Sequence, residues 1–162
     1  REKEKKHLEN LSYVDSLTYA QNRNHFNEYI EKNRRKELHS VGVIYLDLNG
    51  LKEINDKMGH LAGDTLIISA SYVLQEIFAD NSYRIGGDEF VVIEQDVLES
   101  EFMSKYNKLL VRMKELEISV ATGYIWKERC LNLSEILQAA DQKMYEDKKR
   151  YYSIAQNDRR RR

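Results

Sequence analysis

Apolar and polar positions along the chain predict a mixed succession of strands and helices. The run 41–48 is apolar and rich in β-branched residues, which predicts a buried strand. Two shorter apolar runs flank a Gly-Gly-Asp-Glu sequence within 82–93, an arrangement that predicts a hairpin. The other predicted elements are helices at 22–38, 50–57, 62–78, 99–114 and 133–149, a strand at 118–126 and a last strand in the tail at 151–155.

Length and composition indicate one domain. The 162 residues are 41% hydrophobic with a formal net charge of −1, which is ordinary for a globular domain that buries one core. The one cysteine, Cys130, excludes an internal disulfide and suits a reducing compartment. No apolar run approaches the length of a membrane span, and no signal-peptide pattern is visible. We therefore expect a cytoplasmic location, either free or as the cytoplasmic part of a membrane-anchored receptor.

Both ends of the chain are highly charged and differ from the middle. Residues 1–14 carry Leu8 and Leu11 at helical spacing among charges, which predicts a linker helix, either the end of a coiled coil or the connector to a sensor. Two apolar positions are too few to establish a heptad. The tail 157–162 is basic. These boundaries leave 15–156 as the predicted folded domain.

The Gly-Gly-Asp-Glu turn of the predicted hairpin is the first candidate for chemistry. Glycines at 86 and 87 allow a positive φ and a close approach of a ligand to the main chain. Asp88 and Glu89 place adjacent carboxylates at the tip, and such carboxylates suit a hard divalent cation. Taken alone, the same residues are also ordinary hairpin chemistry, so the interpretation depends on a second motif.

That second motif begins at the end of the predicted strand 41–48. Asp47 lies where a charge is costly unless it has a partner, although a lone aspartate there is usually a strand end or a helix N-cap. The loop that opens the next helix offers free backbone N–H groups to an anion, and Lys52 adds a charge suited to phosphate. Asn55 and Asp64 supply an amide and a carboxylate, which suit the N–H donors of a guanine edge.

Together these segments resemble the diguanylate cyclase family, the GGDEF domains. The resemblance covers nearly the whole chain from about Asp15 onward and keeps four motifs in order. The opening element differs from the family pattern at Tyr19-Ala20, where Gly-Leu is usual. The matching segments are Asp15–Thr18 with Asn22, Arg23 and Phe26; Leu46–Asn49 through Ile54–Asp56 to Gly59-His60 and Gly63-Asp64; the signature Gly86–Phe90; and Ile118–Gly123 with Ala139–Tyr145.

The resemblance implies an α+β fold with a five-stranded central sheet wrapped by helices, similar to the nucleotidyl cyclases and the polymerase palm. It implies condensation of two GTP molecules into cyclic di-GMP with release of two pyrophosphates, using Mg²⁺. Because one domain offers one nucleotide site, the active form would be a two-fold homodimer with facing GTP sites. The resemblance also implies an upstream sensor or receiver module in the full-length protein, and no nucleic-acid partner.

The same resemblance assigns roles to individual residues. Asp47, Asp88 and the carbonyl of Leu48 are the expected metal ligands. Asp88, at the third signature position, is assigned as the acceptor of the hydroxyl proton, with Glu89 beside it as the other candidate. For His60, contact with the nucleotide and a structural hydrogen bond in a helix corner are both open. The expected substrate-binding residues are Lys52, also counted as catalytic, and Lys148 at the phosphates, and Asn55, His60 and Asp64 at the guanine and ribose.

Three further positions depart from the family pattern. Asn49 stands where a second acid is usual, and Ile77 replaces the arginine of a product-inhibition motif, so feedback there is not expected. Tyr152 replaces a phosphate-binding arginine, with Lys149 or Arg150 as the candidates to substitute for it. Two rival functions stay open. One is a domain without turnover that binds GTP or cyclic di-GMP and regulates a partner, and the other is a dimerisation and relay module whose helical N-terminus is the functional part.

Overall fold

The computed structural model describes residues 1–161, except for the side chains of residues 9–11. Within these residues none of the helices combines the length and apolarity needed to cross a lipid bilayer. The elements in chain order are α1 (Glu2–Tyr13), α2 (Arg23–Asn33), β1 (Leu38–Leu48), α3 (Leu51–Met58), α4 (His60–Phe78), a short 3₁₀ turn (Ala79–Asn81), β2 (Ser82–Arg84), β3 (Glu89–Gln95), α5 (Glu99–Glu115), β4 (Val120–Cys130) and α6 (Leu133–Arg161).

The strands form one antiparallel sheet in the order β2-β3-β1-β4. β1 lies in the middle and pairs with β4 along nearly its whole length, while β3 pairs with its other edge. The α+β class is confirmed. The expected number of strands is wrong, because the described residues contain four strands rather than five.

The strand expected at 151–155 is also wrong, because those residues continue α6. Buried Ala140 and Met144 are followed by half-buried Lys148, Tyr151 and Ala155, so the inward positions recur every three or four residues. The chain contains no proline, and α6 contains no glycine, so the usual signals that end a helix are missing. α6 is consequently 29 residues long.

The other predicted elements lie within a few residues of their expected positions, with one exception. The first amphipathic helix was expected to reach residue 38, but α2 ends at Asn33 because Leu38 already belongs to β1. The heptad interpretation of the N-terminal helix stays untested. Leu8 is exposed, the side chain of Leu11 lies outside the described residues, and so does Arg162 of the basic tail.

Alternation along β1 sends its side chains to both faces of the sheet, where separate apolar clusters bury them. Val43 and Tyr45 pack with residues of α2 and α6, whereas Ile44 and Leu46 pack with residues of α4 and α5. Helices on both faces explain why this strand reads as a continuous apolar run. Asp47 shares the parity of Tyr45, so the strand directs it to the face that α6 covers.

Candidate active site

The signature residues form the turn that joins β2 and β3. Ile85 and Gly86 donate backbone hydrogen bonds to the carbonyl of Glu89, with N–O distances of 2.9 and 3.3 Å, and these close the turn. A positive φ was expected as one reason for the two glycines, but neither Gly86 nor Gly87 has one in the described backbone. A Cβ at Gly87 would meet no described atom within 4 Å. Glycine here leaves the backbone open to close approach by a ligand.

A largely buried ion pair braces this turn. Arg84 donates from Nη2 to the carbonyl of Gly87 at 2.9 Å and from Nη1 to both carboxylate oxygens of Asp15 at 3.0 and 3.1 Å. Thr18 donates to Asp15 Oδ2 from its backbone N at 2.9 Å and from its hydroxyl at 2.8 Å. The sequence predicted that Asp15 matches the family but gave it no role, and it gave no prediction for Arg84. The one indication in the sequence was that Arg84 lies within the predicted hairpin that carries the signature.

Asp15→Asn is expected to lower the free energy of unfolding by about 1 kcal/mol at pH 7, allowing for solvent screening. Burial alone would raise the pKa of Asp15, but hydrogen bonds from Thr18 and the Arg84 guanidinium outweigh it and hold the pKa below its ordinary value of 3.8. A lowered carboxylate pKa stabilises the fold above the ordinary pKa, and this stabilisation is lost as the pH falls through the folded-state pKa.

Urea unfolding of wild type and Asp15→Asn, at pH 7 and at about pH 3, measures this effect. The deficit of the variant should shrink at the lower pH. Asp80→Asn, which changes an exposed carboxylate, is the matched control and should show no deficit at either pH. A deficit of Asp15→Asn that is equal at both pH values would contradict the assigned ion pair.

β1 and the signature turn bring Asp47 and Asp88 together at one end of the sheet. The backbone N of Leu48 donates to the carbonyl of Asp88 at 2.9 Å, and Asp47 lies opposite Glu89 in the strand register. Lys148 on α6 reaches both acids, with its Nζ 2.7 Å from Asp47 Oδ2 and 3.9 Å from Asp88 Oδ2. Asp47 is 9% exposed, and its Oδ1 has no hydrogen-bond partner in the described part of the chain. A buried carboxylate oxygen without a donor is costly and suits a bound cation.

The carboxylates around this point disfavour one another's charge. Burial raises the pKa of Asp47, an effect that the hydrogen bond from Lys148 opposes and the charge of Asp88 reinforces. Burial also raises the pKa of Glu89, and the charge of Asp141 on α6 adds to that effect. A cation bound among these groups would relieve their repulsion, so the site is matched to positive charge.

Close packing of α6 on β4 determines the position of Lys148. A Cβ at Gly123 would lie 2.3 Å from two backbone atoms of α6, so only glycine permits this approach. Asp147 Oδ2 also accepts a hydrogen bond from the backbone N of Thr122 at 2.9 Å. The Lys148 ammonium therefore reaches the acids from a helix whose position the sheet fixes. The resemblance to the diguanylate cyclase family implied Lys148 at the phosphates of a nucleotide and did not predict its contact with the acids.

The predicted nucleotide-binding residues lie on α3 and at the start of α4. Gly50 caps α3 with a φ of +70°, and Lys52 in the first turn is exposed. The side chain of Asn55 packs against Gly63, where a Cβ would lie 1.8 Å from Asn55 Oδ1. That oxygen is buried, and no donor among the described residues reaches it. An acceptor in this state fits a ligand that brings an N–H donor.

Asp64 and His60 lie on the first turns of α4. Asp64 is half-buried, His60 is exposed, and neither side chain makes a hydrogen bond or an ion pair with the described residues. The interpretation of His60 as a structural hydrogen bonder therefore receives no support, and both side chains are available to a ligand. The structure thus forms two groups, one of acids with Lys148 and one around Asn55, and no hydrogen bond or ion pair among the described residues joins them.

Tyr152, where an arginine is usual, lies beside Lys148. The Lys148 Nζ is 5.9 Å from the centre of the Tyr152 ring. Lys149 lies over a different tyrosine, 4.6 Å from the ring centre, and Arg150 pairs with Asp147 at 3.6 Å. Both candidate substitutes are therefore engaged away from the acid pair.

Comparison with known protein families identifies this arrangement. A family model described as "Diguanylate cyclase, GGDEF domain" matches residues 12–152. The chain belongs to the GGDEF family. Relatives of this GGDEF domain include proteins named diguanylate cyclases and others named cyclic di-GMP phosphodiesterases.

Two relatives and one solved structure show the extent of the likeness. Signaling protein YkoW of Bacillus subtilis (strain 168) is 34% identical over 175 residues, which cover 94% of this chain. Cyclic di-GMP phosphodiesterase PdeR of Escherichia coli (strain K12) is 30% identical over 147 residues, which cover 83% of this chain. The GGDEF domain spans only 22% of the length of each. The crystal structure of the GGDEF domain of DgcB from Caulobacter crescentus, in complex with c-di-GMP, matches with a TM-score of 0.73 at 21% identity, covering 85% of this chain and 91% of that one, which shows the shared fold.

Proposed function

We propose that this GGDEF domain is a diguanylate cyclase that joins two GTP molecules into cyclic di-GMP and releases two pyrophosphates. The observation that carries the proposal is the convergence of Asp47 and Asp88 on one cation at the end of the sheet. Paired carboxylates suit the binding of a hard metal ion during phosphoryl chemistry. A module that only recognises guanine does not require them.

The residues present fit a magnesium ion. Asp47 with its unpartnered Oδ1, Asp88 and the carbonyl oxygen of Leu48 would hold it. Among the side chains that the structure describes, no cluster of three His, Cys, Asp or Glu is positioned for a metal, so water and phosphate oxygens of the nucleotide would complete the coordination. When bound, the ion supplies positive charge that stabilises the charge developing on the phosphoryl oxygens.

In this proposal α3 binds the triphosphate. The carbonyl of Gly50 accepts the first intrahelical hydrogen bond, from Ile54 at 3.0 Å, so the amides of the first turn have no partner within the helix. These amides and the Lys52 ammonium attract the phosphates, and Lys148 supplies a second ammonium from α6. Holding the α-phosphorus in line with the attacking oxygen contributes much of the rate acceleration.

The proposed reaction begins with guanine bound by Asn55 and Asp64 and ribose beside His60. The ribose 3′-oxygen of one GTP attacks the α-phosphorus of the other, the bond from that phosphorus to pyrophosphate breaks, and Asp88 accepts the hydroxyl proton. The same step with the roles of the two nucleotides reversed closes the ring and releases the second pyrophosphate. Glu89, whose pKa is raised by burial and nearby carboxylates, is the second group at this point that can hold a proton.

A second candidate function is a regulatory module that binds GTP or cyclic di-GMP without turnover. Tyr152 favours it, since a neutral ring stands where a phosphate-binding arginine is usual in the family. Incubation with GTP and Mg²⁺, followed by chromatography and mass spectrometry, separates the two functions. Cyclic di-GMP formation is the expected result. Saturable GTP binding with no product would support the regulatory module instead.

Specific activity should rise with protein concentration. Because one domain holds one nucleotide, two domains must face each other across a two-fold axis. In the full-length protein an upstream sensor or receiver module would hold them together in the cytoplasm, and α1 alone shows no long heptad seam among its described residues. Initial rates over a dilution series measure the effect, with sedimentation velocity to follow the monomer. A specific activity that stays constant while the protein is monomeric would contradict the dimer requirement.

Gly87→Ala should leave the fold intact and impair nucleotide binding. Its φ is not positive and an added Cβ meets no described atom within 4 Å, so the free energy of unfolding should stay within about 0.5 kcal/mol or rise. A bound triphosphate that approaches this backbone would collide with the methyl group. GTP affinity by calorimetry should fall about tenfold. Unchanged affinity would show that the ligand does not approach the signature turn closely.

A further inference from the structure

Lys148 places its ammonium beside the two acids that would hold a metal ion. Its Nζ is 2.7 Å from Asp47 Oδ2 and 3.9 Å from Asp88 Oδ2. Among the described side chains it is the one cation that pairs with both carboxylates. The Lys148 side chain is only 20% exposed, so little water screens these contacts.

The placement of Lys148 comes from the helix rather than from the ion pair alone. α6 lies against β4 at Gly123, and Asp147 tethers it to the backbone of Thr122. The flexible four-carbon stem nevertheless lets the ammonium change partner while the helix stays in place. Tyr152, next to it, offers a ring face and no competing charge.

An ammonium and a divalent ion cannot share these oxygens without strong repulsion. Even a metal held through the unpartnered Asp47 Oδ1 and Asp88 would lie close to the ammonium on Asp47 Oδ2, and this repulsion would favour displacement of the Lys148 ammonium. Once displaced, the ammonium is half-buried and needs a new anion. The triphosphate that arrives with the metal supplies one.

We propose that Lys148 is an exchangeable internal cation that neutralises Asp47 and Asp88 in the nucleotide-free domain and transfers to the triphosphate when metal and nucleotide bind. The inference rests on the proposed function, because it takes the acid pair as the metal site. The consequence is that the binding of metal and the binding of nucleotide at this site are coupled. Metal alone binds weakly, and metal and nucleotide each strengthen the binding of the other by the same factor.

Mn²⁺ binding measured by the electron paramagnetic resonance of free Mn²⁺ tests the exchange without turnover. Mn²⁺ is a hard cation that accepts the oxygen ligands of Mg²⁺. Each protein is titrated alone and with a GTP analogue whose α,β-bridge cannot be cleaved. Lys148→Met should bind Mn²⁺ alone about tenfold more tightly than wild type, and the enhancement by the analogue should fall at least about fivefold.

Lys149→Met is the matched control, because it removes the same charge from the neighbouring residue, which contacts a tyrosine ring rather than the acids. Its Mn²⁺ affinity should stay within about twofold of wild type. Lys148→Gln is a second variant that keeps a hydrogen-bond donor for Asp47, in case the methionine variant folds poorly.

The outcomes separate the two proposals. If Asp47→Asn removes Mn²⁺ binding but wild type and the Lys148 variants bind Mn²⁺ alone equally tightly, the acid pair is the metal site and the exchange is wrong. The exchange is equally wrong if Lys149→Met tightens Mn²⁺ binding as much as Lys148→Met. If Asp47→Asn with the analogue binds Mn²⁺ as tightly as wild type, after subtraction of the Mn²⁺ that the analogue binds without protein, the proposed function itself is overturned.

Discussion

Asp47→Asn and Asp88→Asn should each lower cyclic di-GMP formation by about a thousandfold or more. Each substitution keeps the volume of the side chain and removes one of the negative charges that would balance the metal. The structure gives both acids the same cationic neighbour, so loss of either leaves Lys148 paired with the other. We therefore expect the fold to survive both changes. The loss should appear in turnover rather than in the amount of folded protein.

Product formation from GTP and Mg²⁺, measured beside circular dichroism and thermal unfolding, tests this expectation. Asp96→Asn is the matched control, since Asp96 is exposed and follows β3 at the end away from the signature turn. Its backbone has a φ of +55°, which asparagine tolerates well. Near-normal turnover in either Asp47→Asn or Asp88→Asn would refute the assignment of the metal site.

The domain should prefer GTP to ATP by roughly a hundredfold, and Asp64→Ser should erode that preference. Guanine presents N1–H and N2–H donors, which suit Asn55 Oδ1 and the Asp64 carboxylate, since neither has a partner among the described residues. Adenine presents a bare N1 acceptor and lacks the N2 amine. A carboxylate facing that lone pair loses its water without gaining a donor, and such mismatches cost about 1–3 kcal/mol each.

Product analysis from an equimolar mixture of GTP and ATP measures the preference. Thr65→Ser is a suitable control, because Thr65 is the next residue on α4 and its hydroxyl bonds the helix backbone at Leu61. It should leave the product distribution unchanged. Substantial cyclic GMP-AMP or cyclic di-AMP from the unmutated domain would show that Asp64 does not discriminate guanine from adenine.

Local patterns predicted most of the fold because the core elements carry strong periodicity. β1 is buried on both faces and reads as one apolar run, and the hairpin follows from its glycines and flanking apolar residues. The strand predicted at 151–155 was wrong because the intrinsic preference of its residues conflicts with the periodicity of the preceding helix. Tyr151, Tyr152 and Ile154 favour strands by intrinsic preference, but they follow a helix whose inward positions continue through them.

The site was less predictable from the sequence, because its parts meet only through strand pairing and helix packing. The resemblance to GGDEF domains predicted that Asp47 and Asp88 meet. No local pattern shows that α6 places Lys148 beside both acids, since that depends on the approach of α6 to Gly123. The bond between Arg84 and Asp15 likewise joins distant segments, and neither residue has a periodic signal.

The central position of β1 also sets the order in which the chain can fold. β3 can pair with one edge of β1 early, but β4, which covers the other edge, begins only at Val120. At a synthesis rate of ~5–20 residues per second, the second edge stays open on the ribosome for roughly 4–15 seconds. Such distant pairing slows folding, and an open apolar edge invites aggregation. Production of this domain should therefore depend more on the rate of chain elongation and on temperature than on changes on its surface.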